Sequence, residues 1–180
     1  NEWIYRQKGE ALHRALRDAN ISLAGTSIFE AAFGVGYYLS RWRSHGVGQV
    51  TGVDLSADAV EQARMEYPDF DLQCQDLAEL APSPTPFDVV FAIDVLYHII
   101  DDVQWDRAVR NLARRVRAGG ALVFTDQFWA VRTHRSAHVR RRRFEDYVEV
   151  LGEEGLTIEV RRVFTRYLGH DRGTGMGPLW

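Results

Sequence analysis

The sequence predicts a doubly wound α/β domain, a mostly parallel Rossmann-like sheet with helices on both faces, and three observations carry that expectation. Short β-branched or apolar runs alternate with stretches of helical composition from Ser27 to Thr125. Several of those runs end on a small-residue turn or on a carboxylate, the pattern of strands whose carboxyl ends open into a ligand crevice. The length of 180 residues, with 46% hydrophobic and 26% charged residues, suits one globular domain with a single substantial core.

The elements follow in chain order. Trp3 to Ala19 places Ala11, Leu12, Ala15, Leu16 and Ala19 on one face, so a leading amphipathic helix is expected. Ser27 to Ala31 reads as a first strand, closed by Phe33-Gly34-Val35-Gly36, and Tyr37 to Ser44 as the helix after it. Gly46-Val47-Gly48 breaks the chain before a second strand, Gln49 to Val53, which ends at Asp54. Ser56 is placed to cap a helix through Tyr67, Pro68 stops it, and Phe70 to Gln73 is a third strand. Pro82, Pro84 and Pro86 mark a surface loop, and Val89 to Ile93 is a continuous apolar run typical of a buried parallel strand, closed by Asp94. From Asp101 to Arg117 the residues Val103, Trp105, Val109, Leu112 and Val116 recur at helical spacing, and Gly119-Gly120 supplies the expected stop. Ala121 to Thr125 is a fifth strand followed by Asp126. Phe144 to Glu154 reads as a helix ended by Gly155, and Thr157 to Thr165 as a late strand. The domain expected spans 1–180, with the N-terminal helix in 1–24, a core in 25–126 and further elements in 127–180.

Composition narrows the function classes. Cys74 is the only cysteine, which excludes an internal disulfide framework or a multi-cysteine zinc site and fits a reducing, cytoplasmic location. No stretch approaches the roughly 20 apolar residues of a membrane span, so no membrane partner is expected. A net charge of -3 argues against a surface wrapped in positive potential for nucleic acid. Of 22 basic residues only Lys8 is lysine, a bias that points to base composition rather than to recognition chemistry.

The chemistry-bearing segment is Ile28 to Gly36, where small residues let the backbone after the first strand pass close to a ligand. Its weight comes from Asp54, twenty residues after Gly34 at the end of the second strand, where a carboxylate can accept both hydrogen bonds of a ribose diol. The bland alternative is an acid capping a strand-to-helix turn. Asp76 follows the third strand, within reach of an adenine amino group. A dinucleotide dehydrogenase would need glycines where Ala32 and Tyr37 stand, which disfavours a pyrophosphate seat.

On these residues the sequence resembles the class I S-adenosylmethionine-dependent methyltransferases. Their first motif, E-x-G-x-G-x-G, appears as Glu30-Ala31-Ala32-Phe33-Gly34-Val35-Gly36, with Ala32 in place of the first glycine. Gly52 to Ser56, Gln75-Asp76-Leu77, Phe87 to Ile99 and Arg117 to Val123 match later motifs in order, with Ala118 replacing a proline, and the resemblance covers residues 25 to 126. It implies S-adenosylmethionine as cofactor. It implies further that Glu30 orients the loop and reaches the cofactor's amino group through water, that Gly34 and Gly36 pass beneath the methionine portion, that Ala32 in the first glycine's place sets the loop slightly farther from the methionine end, and that Asp54 holds the ribose. Leu55 would pack on adenine, Asp76 and the Leu77 amide would read its edge, and the Ile93 carbonyl would meet the ammonium group. The expected function is methyl transfer to an oxygen or nitrogen of a small organic acceptor by metal-independent direct displacement. The alternatives are an RNA methyltransferase using the basic 132–143 segment, or a cofactor-binding relative without turnover.

Displacement at a sulfonium needs a base only for protonated acceptors. His98, beyond the fourth strand, is the candidate catalytic base, ahead of His134 and His138; the bland alternative is a packed, hydrogen-bonded histidine. Asp94 with Asp126-Gln127 hints at a divalent cation, but acids at strand ends are common in this fold and no metal is expected. Arg140 to Arg143 could capture a phosphate or RNA, and is read instead as the solvated start of the helix that Phe144, Tyr147, Val148 and Leu151 anchor.

Overall fold

The computed structural model describes residues 2–128 and 133–159. Five strands form one parallel sheet in the order β3-β2-β1-β4-β5: β1 Ser27–Ala31, β2 Gln49–Asp54, β3 Asp71–Cys74, β4 Phe87–Ala92 and β5 Val116–Phe124. The order reverses between β1 and β4, so the crevice beyond their carboxyl ends is the topological switch point where ligands bind in such sheets.

Period-two alternation sends strand side chains to two separate cores. Ile28, Val89 and Phe91 face α1 Glu2–Asp18, α2 Tyr37–Ser44 and α3 Ala57–Glu66, and join Leu12, Leu16, Leu39, Trp42 and Val60 in one buried cluster. Phe29, Ala31, Val90 and Ala92 face α4 Asp102–Ala113 and α5 Phe144–Glu153, against Trp105, Leu112, Tyr147 and Leu151. Ser56 caps α3 as the sequence places it, accepting from the Ala59 amide, and Asp101 caps α4, accepting from the amides of Val103 and Gln104.

Three features differ from the sequence expectation. Gly119-Gly120 does not stop a helix; α4 ends at Ala113 and β5 already begins at Val116. The register with β4 jumps from Phe87↔Val116 to Val89↔Ala121, so residues 117–120 bulge out. Gly119 takes φ +73°, and a Cβ on Gly120 would lie 2.7 Å from the Asp88 carbonyl oxygen, so both glycines serve the bulge. A second sheet, the antiparallel hairpin of β6 Thr133–Ser136 and β7 Val139–Arg141, stands where no strand was expected. Of the expected late strand, 157–159 has no regular structure and 160–165 lies outside the described residues.

Candidate active site

After β1 the backbone turns left-handed at Ala32 (φ 56°), Gly34 (φ 52°) and Gly36 (φ 77°), the last capping α2. The Ala32 amide donates to the Val53 carbonyl at 2.7 Å, which pins the loop to β2. The Gly34 amide donates to Asp54 Oδ2 at 2.7 Å, and the Ser56 amide to Asp54 Oδ1 at 2.9 Å. Each carboxylate oxygen retains a further lone pair, so the carboxylate is oriented by the loop without being saturated. A Cβ on Gly34 would meet nothing within 4 Å, while Leu55 and Val35 beside it are 72% and 86% exposed. The structure thus brings Ala32 and Gly34 beside Asp54, with exposed Leu55 next to them, whereas Gly36 is buried and faces Tyr67 and Leu39.

Asp76 lies one strand further, at the end of β3, where its Oδ1 accepts from the Ala78 amide at 2.8 Å and caps a short 3-10 turn, Leu77–Glu79. Leu77 is buried, and Asn111 of α4 donates to its carbonyl at 2.9 Å. Glu30 is elsewhere: it is 1% exposed, inside the core, and accepts a 2.6 Å hydrogen bond from Trp42 Nε1. Burial pushes its carboxyl up to about 8, against the lowering effect of the Trp42 hydrogen bond, so near neutral pH it is largely protonated. Its contact is with the α2 helix that the glycine loop leads into.

Across the switch point, Ile93 is buried and Asp94 takes φ 56°, a left-handed conformation uncommon for a residue with a Cβ. The Asp94 carboxylate accepts from Thr125 Oγ1 at 3.2 Å and forms an ion pair with Lys8 of α1. Sequence reasoning did not single out Lys8. Its status as the only lysine was the available signal, and the contact spans 86 positions that no local pattern links.

Beyond β4, His98 Nδ1 lies 3.0 Å from the His138 carbonyl oxygen in the turn between β6 and β7. A carbonyl only accepts, so Nδ1 carries the proton and Nε2 of the neutral ring is the basic nitrogen. Asp126 accepts from the Tyr147 hydroxyl and from the Gln127 amide, and Trp105 Nε1 donates to Tyr147 at 3.1 Å. Burial raises the Asp126 carboxyl despite those two hydrogen bonds. Phe124, Phe128 and Phe144 pack edge-on or stacked around the same region.

The basic run is not a solvated first turn. Arg140 pairs with Asp102 at 2.9 Å and Arg143 with Asp146 at 2.7 Å. Arg142 is 1% exposed, with its guanidinium 4.6 Å from the Trp105 ring centroid and hydrogen-bonded to the Ile99 carbonyl at 2.8 Å. The His134 side chain lies outside what the structure describes. Among the described residues, no group of three or more His, Cys, Asp or Glu side chains could hold a metal ion.

These residues fit a cofactor made of an adenosine and an amino-acid end. The glycine loop leaves open ground at Gly34, the oriented Asp54 carboxylate suits a diol, and exposed Leu55 and Val35 offer apolar contact beside it. In the first turn of α2 the buried Tyr38 hydroxyl has no hydrogen-bond partner, an unmet polar group.

Comparison with known proteins gives a consistent picture. A family model described as "Methyltransferase domain" matches residues 28–120. Ubiquinone biosynthesis O-methyltransferase of Coxiella burnetii (strain Dugway 5J108-111) is 28% identical over 112 residues, covering 60% of this chain and 46% of the relative. The chain therefore spans about half the length of the curated relatives it matches. Among solved structures, magnesium protoporphyrin IX methyltransferase from Synechocystis PCC 6803, with bound SAM, superposes with a TM-score of 0.69 at 20% identity, over 92% of this chain and 74% of that one. An S-adenosylmethionine dependent methyltransferase from Mesorhizobium loti gives 0.68 at 23% identity, over 86% and 84%. At those identities the likeness is one of fold, and the fold is that of the class I enzymes.

Proposed function

The chain belongs to the methyltransferase domain family, and from that premise we propose that it is an S-adenosylmethionine-dependent enzyme that methylates an oxygen or nitrogen of a small organic acceptor, by direct displacement and without a metal. The observation that carries the reading is the 2.7 Å hydrogen bond from the Gly34 amide to the Asp54 carboxylate, which holds a ribose-reading acid over an open glycine loop.

When bound, the cofactor supplies a methyl group already activated on a sulfonium. The chain's task is then to hold, align and exclude water, which can provide much of the acceleration. Asp54 holds the ribose hydroxyls, Leu55 lies against the adenine face, and Asp76 with the Leu77 amide reads the adenine edge. The Ile93 carbonyl meets the ammonium, and Ala32, Gly34 and Gly36 give close backbone approach. Glu30 acts through the fold, locking α2 by way of Trp42 and so fixing the loop that precedes it. His98 Nε2 takes the proton of a hydroxyl or amine acceptor, with Nδ1 held by His138. Residues 25–126 form the cofactor core, and 127–180 contribute to the acceptor side.

The curated relative named above is an O-methyltransferase of a biosynthetic pathway, which supports a small-molecule acceptor. The arginines that the RNA alternative would use are spent largely on internal contacts to Asp102, Trp105 and Asp146, which weighs against a nucleic-acid partner. No helix among the described residues is long and apolar enough to cross a membrane. A cytoplasmic location is part of the proposal and rests on the single cysteine.

The test is incubation with S-adenosylmethionine and a panel of small phenols, carboxylic acids and primary amines, read as S-adenosylhomocysteine formed. Acceptor-dependent formation supports the reading. Cofactor binding with no product across the panel supports a binding domain without turnover, and methylation of bulk RNA that falls steeply with salt replaces the acceptor class.

A further inference from the structure

Within the run Arg140 to Arg143, three side chains are taken up by neighbouring helices: Arg140 and Arg142 pair with Asp102 of α4, and Arg143 pairs with Asp146 of α5. Arg141 goes elsewhere. Side chains alternate along a strand, so Arg140 in β7 and Arg142 just past it share the side toward α4, and Arg141 takes the other. There its Nη2 donates to Gln127 Oε1 at 3.2 Å. Gln127 lies just beyond the end of β5, in the segment where the Thr125 amide donates to the Ala92 carbonyl and the Thr125 hydroxyl to Asp94. The guanidinium is thus carried from the hairpin to the carboxyl ends of β4 and β5.

The same hairpin presents the His138 carbonyl that holds His98 Nδ1, so one element mounts both the cation and the candidate base. The charge of His98 acts on Asp126, the residue before Gln127, which sets the imidazole on this side of the sheet as well. Arg141 is half-buried, where a charge-assisted hydrogen bond is stronger than in open water. A planar guanidinium fork matches a carboxylate edge to edge, and its five N–H donors exceed what one neutral amide oxygen takes up.

We propose that Arg141, steadied by Gln127, selects an acceptor that carries a carboxylate, and that the methyl group goes to a separate hydroxyl or amine of that molecule. A carboxylate paired with a guanidinium is a weakened nucleophile, which leaves the other group, whose proton His98 Nε2 takes, as the atom methylated. A single guanidinium balances the single charge of a carboxylate better than a phosphate monoester of about −1.5 to −2. The inference rests on the methyltransferase reading given above and names the acceptor class within it.

The test compares matched probes: the isomeric hydroxybenzoates, the aminobenzoates and mandelate, each against its own carboxamide. Turnover is read as S-adenosylhomocysteine formed, and binding by calorimetric titration onto the protein loaded with S-adenosylhomocysteine. In the wild type, carboxylates that react are expected to exceed their carboxamides in kcat/KM by about tenfold or more. Arg141→Met should bring that preference within about twofold, chiefly through KM, and Arg141→Lys should restore part of it, both with S-adenosylhomocysteine affinity unchanged. Arg140→Met removes a contact from the opposite side of the same strand and should keep the preference. A preference that survives Arg141→Met, an equal loss in Arg140→Met, or carboxamides favoured over carboxylates would overturn the inference. So would the absence of any carboxylate that binds or reacts, in a protein that binds S-adenosylhomocysteine. Failure to bind S-adenosylhomocysteine at all would overturn the cofactor reading, and this inference with it.

Discussion

Glu30 and Trp42 form a buried pair in which the indole Nε1–H donates to Oε2 at 2.6 Å, tying the carboxyl end of β1 to the helix that follows the glycine loop. Burial raises the Glu30 carboxyl from 4.5 to about 8. The folded state therefore holds the proton more tightly than the unfolded one. The associated stability is fully present below about pH 4.5 and is lost as pH climbs to about 8. Across that window the slope from this group is about 1.4 kcal/mol per pH unit at most. Glu30→Gln, which keeps an acceptor for Trp42, should flatten that part of the stability profile, as chemical denaturation at a series of pH values would show. Glu30→Leu strands the indole N–H and should cost about 1–3 kcal/mol at pH 5.

Ala32 occupies the left-handed region with φ 56°, where a Cβ costs about 1–2 kcal/mol and glycine costs none. Glycine loses more entropy on folding, by about 0.5–1 kcal/mol, so Ala32→Gly should leave stability unchanged or raise it by up to about 1.5 kcal/mol. Ala32→Val, β-branched in the same conformation, should destabilise by more than about 1 kcal/mol. Thermal unfolding of the two variants side by side decides the matter.

Arg142 is held by the Ile99 and Asp101 carbonyls, Asp102 and the Trp105 ring at near-complete burial, whereas the Arg143 side chain is about half exposed. Arg142→Ala leaves buried carbonyls without a donor and should cost about 3 kcal/mol, and Arg143→Ala less than about 1. Comparable losses from urea unfolding would show that the basic run is not the internal strut described above.

His98 is tied through Nδ1 to His138, leaving Nε2 as the acceptor of a proton. His98→Gln should lower turnover of a hydroxyl or amine acceptor by about 100-fold with S-adenosylhomocysteine affinity unchanged. Unaltered turnover would remove the base from the account.

How much of this was legible in the sequence follows from the range of each interaction. The alternation of strands and helices, the Ser56 cap and the pairing of Gly34 with Asp54 are local or nearly local, and periodicity with strand-end chemistry reaches them. The bulge at Gly119-Gly120 was misread as a helix stop because a glycine pair signals a break equally well in either setting; close approach to the Asp88 backbone makes it a strand feature. The burial of Arg142 depends on Trp105 and Asp102, which lie on another helix, and a run of four arginines looks solvated until its partners are in place. Lys8 and Asp94 meet only through the docking of α1 on the sheet, and the hairpin of β6 and β7 has weak strand composition and pairs outside the main sheet.

The most direct test of the central claim is calorimetric titration with S-adenosylmethionine and, separately, with NADH, on the wild-type chain and on Asp54→Ala. The account predicts binding of S-adenosylmethionine alone, lost in the variant by about 100-fold or more, as expected when a bidentate charged acceptor is removed from a diol. Retained affinity in Asp54→Ala, or preference for NADH, would contradict it.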